Sequence, residues 1–205
     1  VDAAQVLSVK NLTLKSSNAV VTNTASSSAL VSLDINKLVL DGENWGSGGY
    51  QTQKLTFKNV NAKVNTADTT QIGITAGTSS SITIDSGANV EWNGNIHAGK
   101  RNTEFVSNSG LFVNGTLSMN GSIAVYGYAA VGEGGGLNMN GNSLSMTGTV
   151  DIWGTVNFGS PKNSDSRVYN YGTLNINSAN PASQLVFYNI DSQYGGSVNQ
   201  AVATG

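Results

Sequence analysis

Hydrophobic and polar positions alternate along this chain in very short bursts. In GTLSMNGSIAVYG, residues 115–127, Leu117 and Met119 fall on one side of an extended segment and Ser118 on the other, with Asn and Gly closing each end. A strand sends successive side chains to opposite faces, so a triplet buries only two of them and is unstable alone. Its burial has to come from copies of itself. GGLNMNG at 135–141, GTVDIWG at 148–154, GTVNFG at 154–159 and YGTLNIN at 171–177 repeat the apolar–polar–apolar pattern beside Gly or Asn. Looser versions are LTL at 12–14, LVL at 38–40, LTF at 55–57, IGI at 72–74, ITI at 82–84 and VEW at 90–92.

One set of triplet starts, 38, 55, 72, 90, 117, 137, 156 and 174, is spaced mostly by 17 to 20 residues. No segment carries apolar residues at helical spacing over three turns, so helix should be scarce. The expected fold is all-β: a right-handed parallel β-helix, a solenoid of about ten coils with projecting loop insertions, formed by residues 1–205 as a single unit. At the spacing of hydrogen-bonded strands such a rod is roughly 45 to 50 Å long. Leu117, Met119, Leu137, Met139, Val156, Phe158, Leu174 and Ile176 should face inward, and Trp92 and Trp153 should pack inside. Asn114, Asn120, Asn140 and Asn177 should sit at bends, where Asn and Gly accept positive φ at least cost. An antiparallel sandwich or barrel is the alternative, but its strands usually run to five or six residues and lack this period.

Three stretches break the pattern with charge, Gly and polar residues, as insertions on a solenoid would: 41–53, 93–104 and 159–170. The more apolar YAAVGEGGG at 128–136 is a fourth candidate.

Composition narrows the function. Only 11% of the 205 residues are charged and the net charge is −2. The ten basic residues form no stripe, and a nucleic-acid partner needs a cationic track, so none is expected. With no Cys there is no disulfide framework, thiolate metal site or cysteine nucleophile. Lack of Cys fits passage through an oxidising compartment, where thiols mispair. No apolar run approaches the roughly 20 residues that span a bilayer as a helix. The start VDAAQVLSVKN has no basic segment followed by an apolar core, as in a mature fragment whose signal has been removed.

Candidate chemistry is sparse. His97 is the sole histidine, and no Gly-x-Ser-x-Gly elbow accompanies it. Metal binding would rest on carboxylates alone, and neither metal nor cofactor is expected. Asp85 and Glu91 come nearest to the acid–base pair that β-helix enzymes acting on polysaccharides require, but a separation of six positions on a turning chain makes two solvated carboxylates the better expectation. VGEGGGLNMNGN lacks both the Gly-Lys-Ser/Thr of a phosphate loop and the spaced Asp of a calcium repeat. Binding is expected instead from aromatic and basic residues in or beside the insertions: Trp45, Tyr50, Lys100, Arg101, Tyr126, Tyr128, Tyr169 and Tyr171. The two Tyr pairs at i, i+2 share a face wherever the backbone is extended, and flat aromatic patches suit sugar or protein contact.

The Asn-, Gly-, Ser- and Thr-rich repetition of GTLSMNG, GGLNMNG and GTLNINSAN, without Cys, resembles the passenger region of a bacterial autotransporter, closest in texture to the vacuolating-toxin-like group. The resemblance implies a cell-surface or secreted, non-enzymatic rod acting in adhesion, colonisation or toxin-like host interaction. Its partners would be a host cell-surface protein or glycan, or another copy of itself. Membrane attachment would come only through a C-terminal barrel missing from this chain. The competing classes are a carbohydrate-active β-helix enzyme, either a polysaccharide lyase or a glycosidase, and a purely structural spacer.

Overall fold

The computed structural model describes residues 5–12, 18–22, 30–40, 53–73, 80–99, 110–158, 168–170, 173–178, 185–186, 190–191 and 197–202. They form only strands and turns. β1 (Gln5–Leu12) and β2 (Asn18–Thr22) precede a long β3 (Leu30–Leu40). Short strands then follow in threes: β4 (Lys54–Lys58), β5 (Asn61–Thr66), β6 (Thr70–Ile72); β7 (Ser81–Ile84), β8 (Asn89–Asn93), β9 (Ile96–Ala98); β10 (Gly110–Val113), β11 (Thr116–Met119), β12 (Ile123–Val125). The series continues with β13 (Tyr128–Val131), β14 (Gly136–Asn138), β15 (Leu144–Met146); β16 (Thr149–Ile152), β17 (Thr155–Asn157), β18 (Val168–Asn170); β19 (Thr173–Ser178), β20 (Leu185–Val186), β21 (Ile190–Asp191); and β22 (Ser197–Val202).

Every strand pairs in parallel with the strand three places before or after it in the repeating series, in one sheet of fourteen strands and one of eight. β3 pairs along its first part with β5 and at Val39 and Leu40 with β6, so the larger sheet is two stacks joined at β3. The chain therefore visits three faces in rotation. Face 1 holds β4, β7, β10, β13, β16, β19 and β22; face 2 holds β5, β8, β11, β14, β17 and β20; face 3 holds β6, β9, β12, β15, β18 and β21. This is a parallel β-helix.

The short strands survive because each inward position rests on its counterpart in the next coil. On face 2, Val90, Leu117, Leu137 and Val156 are successive register partners, all nearly or wholly buried. Residues from all three faces, among them Leu40, Phe57, Ile82, Trp92, Ile96 and Met119, join one hydrophobic cluster. Trp92 is fully enclosed and meets Phe57 edge to face, with ring centroids 6.2 Å apart. Met139 and Phe158 are buried as expected, while the side chains of Leu174 and Ile176 lie outside the described residues.

Four expectations need correction. The coils are longer and fewer than about ten: the described strands give six three-strand coils from β4 to β21, preceded by β1–β3 and followed by β22. The spacing of 17 to 20 is a true coil repeat only at 117, 137 and 156; Leu55, Ile72 and Val90 occupy faces 1, 3 and 2 in turn, and Leu174 is the backbone register partner of Val150 on face 1. Trp153 is 39% exposed, because the alternation of β16 ends at Ile152 and leaves Trp153 on the corner that follows. Of the four asparagines expected at bends, Asn140 has φ 48, Asn114 and Asn120 occupy bends without positive φ, and Asn177 lies within β19; Asn59, which was not among them, also has φ 48.

Candidate functional site: the corner between faces 3 and 1

The boundaries of the interruptions also shift. Ile96, His97 and Ala98 form β9, with Ile96 and Ala98 in the core, so His97 sits on a strand and the break begins only at Gly99. Tyr128–Val131 is strand β13, so 128–136 is not an insertion. The triplet expected at 72–74 is cut short: β6 ends at Ile72, and residues 73–80 connect it to β7.

With these boundaries, residues 41–53, 73–80 and 99–109 join β3 to β4, β6 to β7 and β9 to β10. All three leave face 3 and enter face 1 on consecutive coils. Their exits are stacked: Gly73 N–H donates to Leu40 O at 2.7 Å and Gly99 N–H to Ile72 O at 2.7 Å. Both glycines have positive φ, at 64° and 87°, turning the chain away from the strand direction. Their re-entries are stacked as well, with Ser81 N–H on Gln53 O at 2.9 Å and Gly110 N–H on Ser80 O at 2.9 Å. Trp45, Tyr50, Lys100 and Arg101 themselves lie outside the described residues, but the roots of the segments carrying them are two coils apart on one edge, roughly 10 Å.

On the next coil the same corner shrinks to Tyr126 and Gly127, which both donate to Ala98 O, at 2.8 and 3.0 Å. The corner separates the two tyrosines, so Tyr126 and Tyr128 do not share a face. Tyr126 leans over face 3 against His97, rings at 5.5 Å and 83°. Tyr128 lies on face 1 against Phe112, rings at 5.7 Å and 48°, and its hydroxyl donates to Asp151 Oδ2 at 2.6 Å. Burial, and then the hydrogen bond and negative charge of Asp151, push the Tyr128 phenol far above its ordinary 10.0; burial alone lowers His97 below 6.5. At the matching outer positions stand Ala124, in register with His97, and Ala130, in register with Phe112 and Asp151, small enough for the rings to lean over. Tyr169 belongs to β18 on face 3, with its side chain outside the described residues, and Tyr171, also outside them, belongs to the connection that enters face 1 at β19.

His97 and Phe112 are the members of this band that the binding candidates omitted. Their partners come from a neighbouring coil 29 or 16 positions along the chain, so no local spacing announces them; the available signal was a polar or aromatic residue centred in an apolar triplet, IHA and LFV.

The carboxylates have other partners. Asp85 accepts from Ser86 N–H at 3.0 Å in the turn after β7. Glu91, outward on face 2, pairs with Lys63 at 3.1 Å and accepts from Asn120 Nδ2 at 3.2 Å. Among the described residues no group of three His, Cys, Asp or Glu side chains could hold a metal ion.

A second outer feature was not anticipated. At the end of face 2, Asn65 Nδ2 donates to Asp34 Oδ1 at 2.5 Å, Asn93 to Asn65 at 2.6 Å, Asn120 to Asn93 at 2.7 Å and Asn140 to Asn120 at 3.4 Å. The coil spacing matches the reach of one carboxamide to the next, so the amides polarise one another along five coils. The recurring Trp-Asn-Gly, Met-Asn-Gly and Met-Asn-Gly after β8, β11 and β14 is its sequence signature. No protein-family model, curated protein or solved structure matches this chain.

Proposed function

We propose that this chain is a surface-displayed or secreted, non-enzymatic β-helical rod of the autotransporter-passenger type, which recognises a host cell-surface protein or glycan along the corner between faces 3 and 1. The observation that carries this reading is convergence. The roots of residues 41–53, 73–80 and 99–109 and the band of His97, Tyr126, Tyr128 and Phe112 all belong to one edge. Aromatic rings on a rigid scaffold lose little entropy on contact, and connections can vary in sequence without disturbing the coils beneath. The rest of the outer surface favours this edge by contrast. Face 2 presents Ser118, Asn138 and Asn157 in one register column, which hydrate well and offer few anchors.

The test is binding of labelled chain to host epithelial cells before and after protease or glycosidase treatment. Deletion of Glu43–Tyr50, Lys100→Ser with Arg101→Ser, and Tyr126→Ala with Tyr128→Ala should each weaken binding while the circular dichroism spectrum stays unchanged. Undiminished binding by all three variants would defeat the assignment to this edge. Release of new reducing ends or unsaturated sugars from polysaccharides, abolished in Asp85→Asn or Glu91→Gln, would replace it with the enzymatic reading.

A further inference from the structure

Four Asn–Gly pairs occur in the chain: Asn93–Gly94, Asn114–Gly115, Asn120–Gly121 and Asn140–Gly141. Asn–Gly is the dipeptide most prone to spontaneous deamidation, because Gly puts no side chain in the way of ring closure. The Gly backbone nitrogen attacks the Asn Cγ, the Cγ–Nδ2 bond breaks, the amide proton passes to the departing nitrogen and ammonia leaves. Water then opens the succinimide at either carbonyl to give aspartate or isoaspartate.

Three of the four pairs belong to the amide column on face 2. Asn93 is held at both carboxamide atoms: its Nδ2 donates to Asn65 at 2.6 Å and its Oδ1 accepts from Asn120 at 2.7 Å. Asn120 is held similarly, with its Nδ2 on both Asn93 Oδ1 at 2.7 Å and Glu91 Oε1 at 3.2 Å and its Oδ1 accepting from Asn140. Cyclisation swings Cγ toward the following nitrogen and expels the very Nδ2 that makes these bonds, so each must break first. Asn114 carries the same dipeptide outside the column. It is exposed, at the corner between faces 1 and 2, and is guarded differently: Asn114 and Gly115 N–H both donate to Ile84 O, which ties up the Gly115 nitrogen that would attack.

We propose that Asn93 and Asn120 are conditional modification sites, sealed against deamidation while the coils are closed and open to it once neighbouring coils separate. The modification then works in one direction. An aspartate at 120 has no Nδ2 to donate, and sets its carboxylate against Glu91 Oε1 and Asn93 Oδ1. Reclosure is opposed, and a transient opening becomes a permanent mark on the rod.

The experiment follows isoaspartate and aspartate by peptide mass spectrometry in the full chain, folded in buffer and unfolded in urea, at mildly alkaline pH. In urea the four sites should convert at similar rates. In buffer Asn93 and Asn120 should be slower than in urea by about tenfold or more, since reaction waits on opening. Asn120→Asp should lower the thermal midpoint by several degrees, against little change for Asn114→Asp. Rates at Asn93 and Asn120 that are the same folded as in urea overturn the proposal, as does an unchanged midpoint for Asn120→Asp.

Discussion

The coils from β4 to β9 and those from β10 to β17 build the same three faces at different cost in chain. On face 2, Val90 lies 28 residues after its partner Ala62, whereas Val156 lies 19 after Leu137. The strands contribute little to the difference. Most of it is spent at the corner between faces 3 and 1, where 73–80 and 99–109 give way to the two residues Tyr126 and Gly127. The enclosed core tolerates only a fixed cross-section, because each inward residue must meet its neighbour a strand spacing away, while a connection that leaves and re-enters at stacked roots adds no strain to the core. From β4 to β17 the variation in length is therefore concentrated at one edge; the expected insertion at 159–170 falls at a different corner, between β17 on face 2 and β18 on face 3.

The largest effect should separate core from connection. Leu117, fully buried midway along the face 2 column, should cost about 5 kcal/mol or more when replaced by Asp, the loss of a buried Leu plus an unpaired charge, read by urea denaturation. Deleting Glu43–Tyr50 should change stability by roughly 1 kcal/mol or less, since closure entropy varies slowly with length. Comparable losses from the two would erase the distinction between coil and edge.

A smaller effect concerns how the edge is anchored. Gly110 has φ +128, and a Cβ there would stand 1.9 Å from Tyr128 O, so the re-entry of residues 99–109 is pressed against the next coil. Gly110→Ala should cost about 2 kcal/mol, while the same change at Gly134, where nothing lies within 4 Å but φ is +77, should cost about 1.

The smallest should come from His97. Burial lowers its pKa from 6.5, so below pH 6.5 the unfolded chain binds a proton that the folded chain resists. Stability should fall as pH drops through 6.5 and level off once the folded-state pKa is passed. His97→Gln should flatten that part of the pH–stability curve; an unaltered curve would mean that His97 is not sheltered by Tyr126.

The same contrast explains what could be read from the sequence. The inward positions of Leu117, Met119, Leu137, Met139, Val156 and Phe158 were legible because those coils are short, so that spacing along the chain equals one turn of the helix. Earlier in the chain, Leu55, Ile72 and Val90 kept a similar spacing by stepping from face to face, and a linear period cannot tell the two cases apart. Alternation likewise placed Trp92 inside but could not locate the end of β16, which put Trp153 outside. At the edge, Tyr126 and Tyr128 were identifiable as aromatic residues beside an interruption, yet their ring partners His97 and Phe112, and the amide column from Asp34 to Asn140, exist only through contacts between coils.

Engineered disulfides test the stacking of that edge most directly, because the chain has no Cys of its own. Gln71 and His97 are register partners on the outer side of face 3, and Thr56 and Thr83 on face 1, so each pair flanks the corner that residues 73–80 cross. Neighbouring parallel strands bring such Cα atoms to about 5 Å, within disulfide reach, while a position two coils away is near 10 Å and beyond it. Gln71→Cys with His97→Cys, and Thr56→Cys with Thr83→Cys, should each oxidise to an intramolecular bond without loss of the β-sheet spectrum, and Gln71→Cys with Ala124→Cys should remain reduced. Failure of both adjacent pairs, or ready closure of the 71–124 pair, would contradict the coil assignment on which the recognition edge depends.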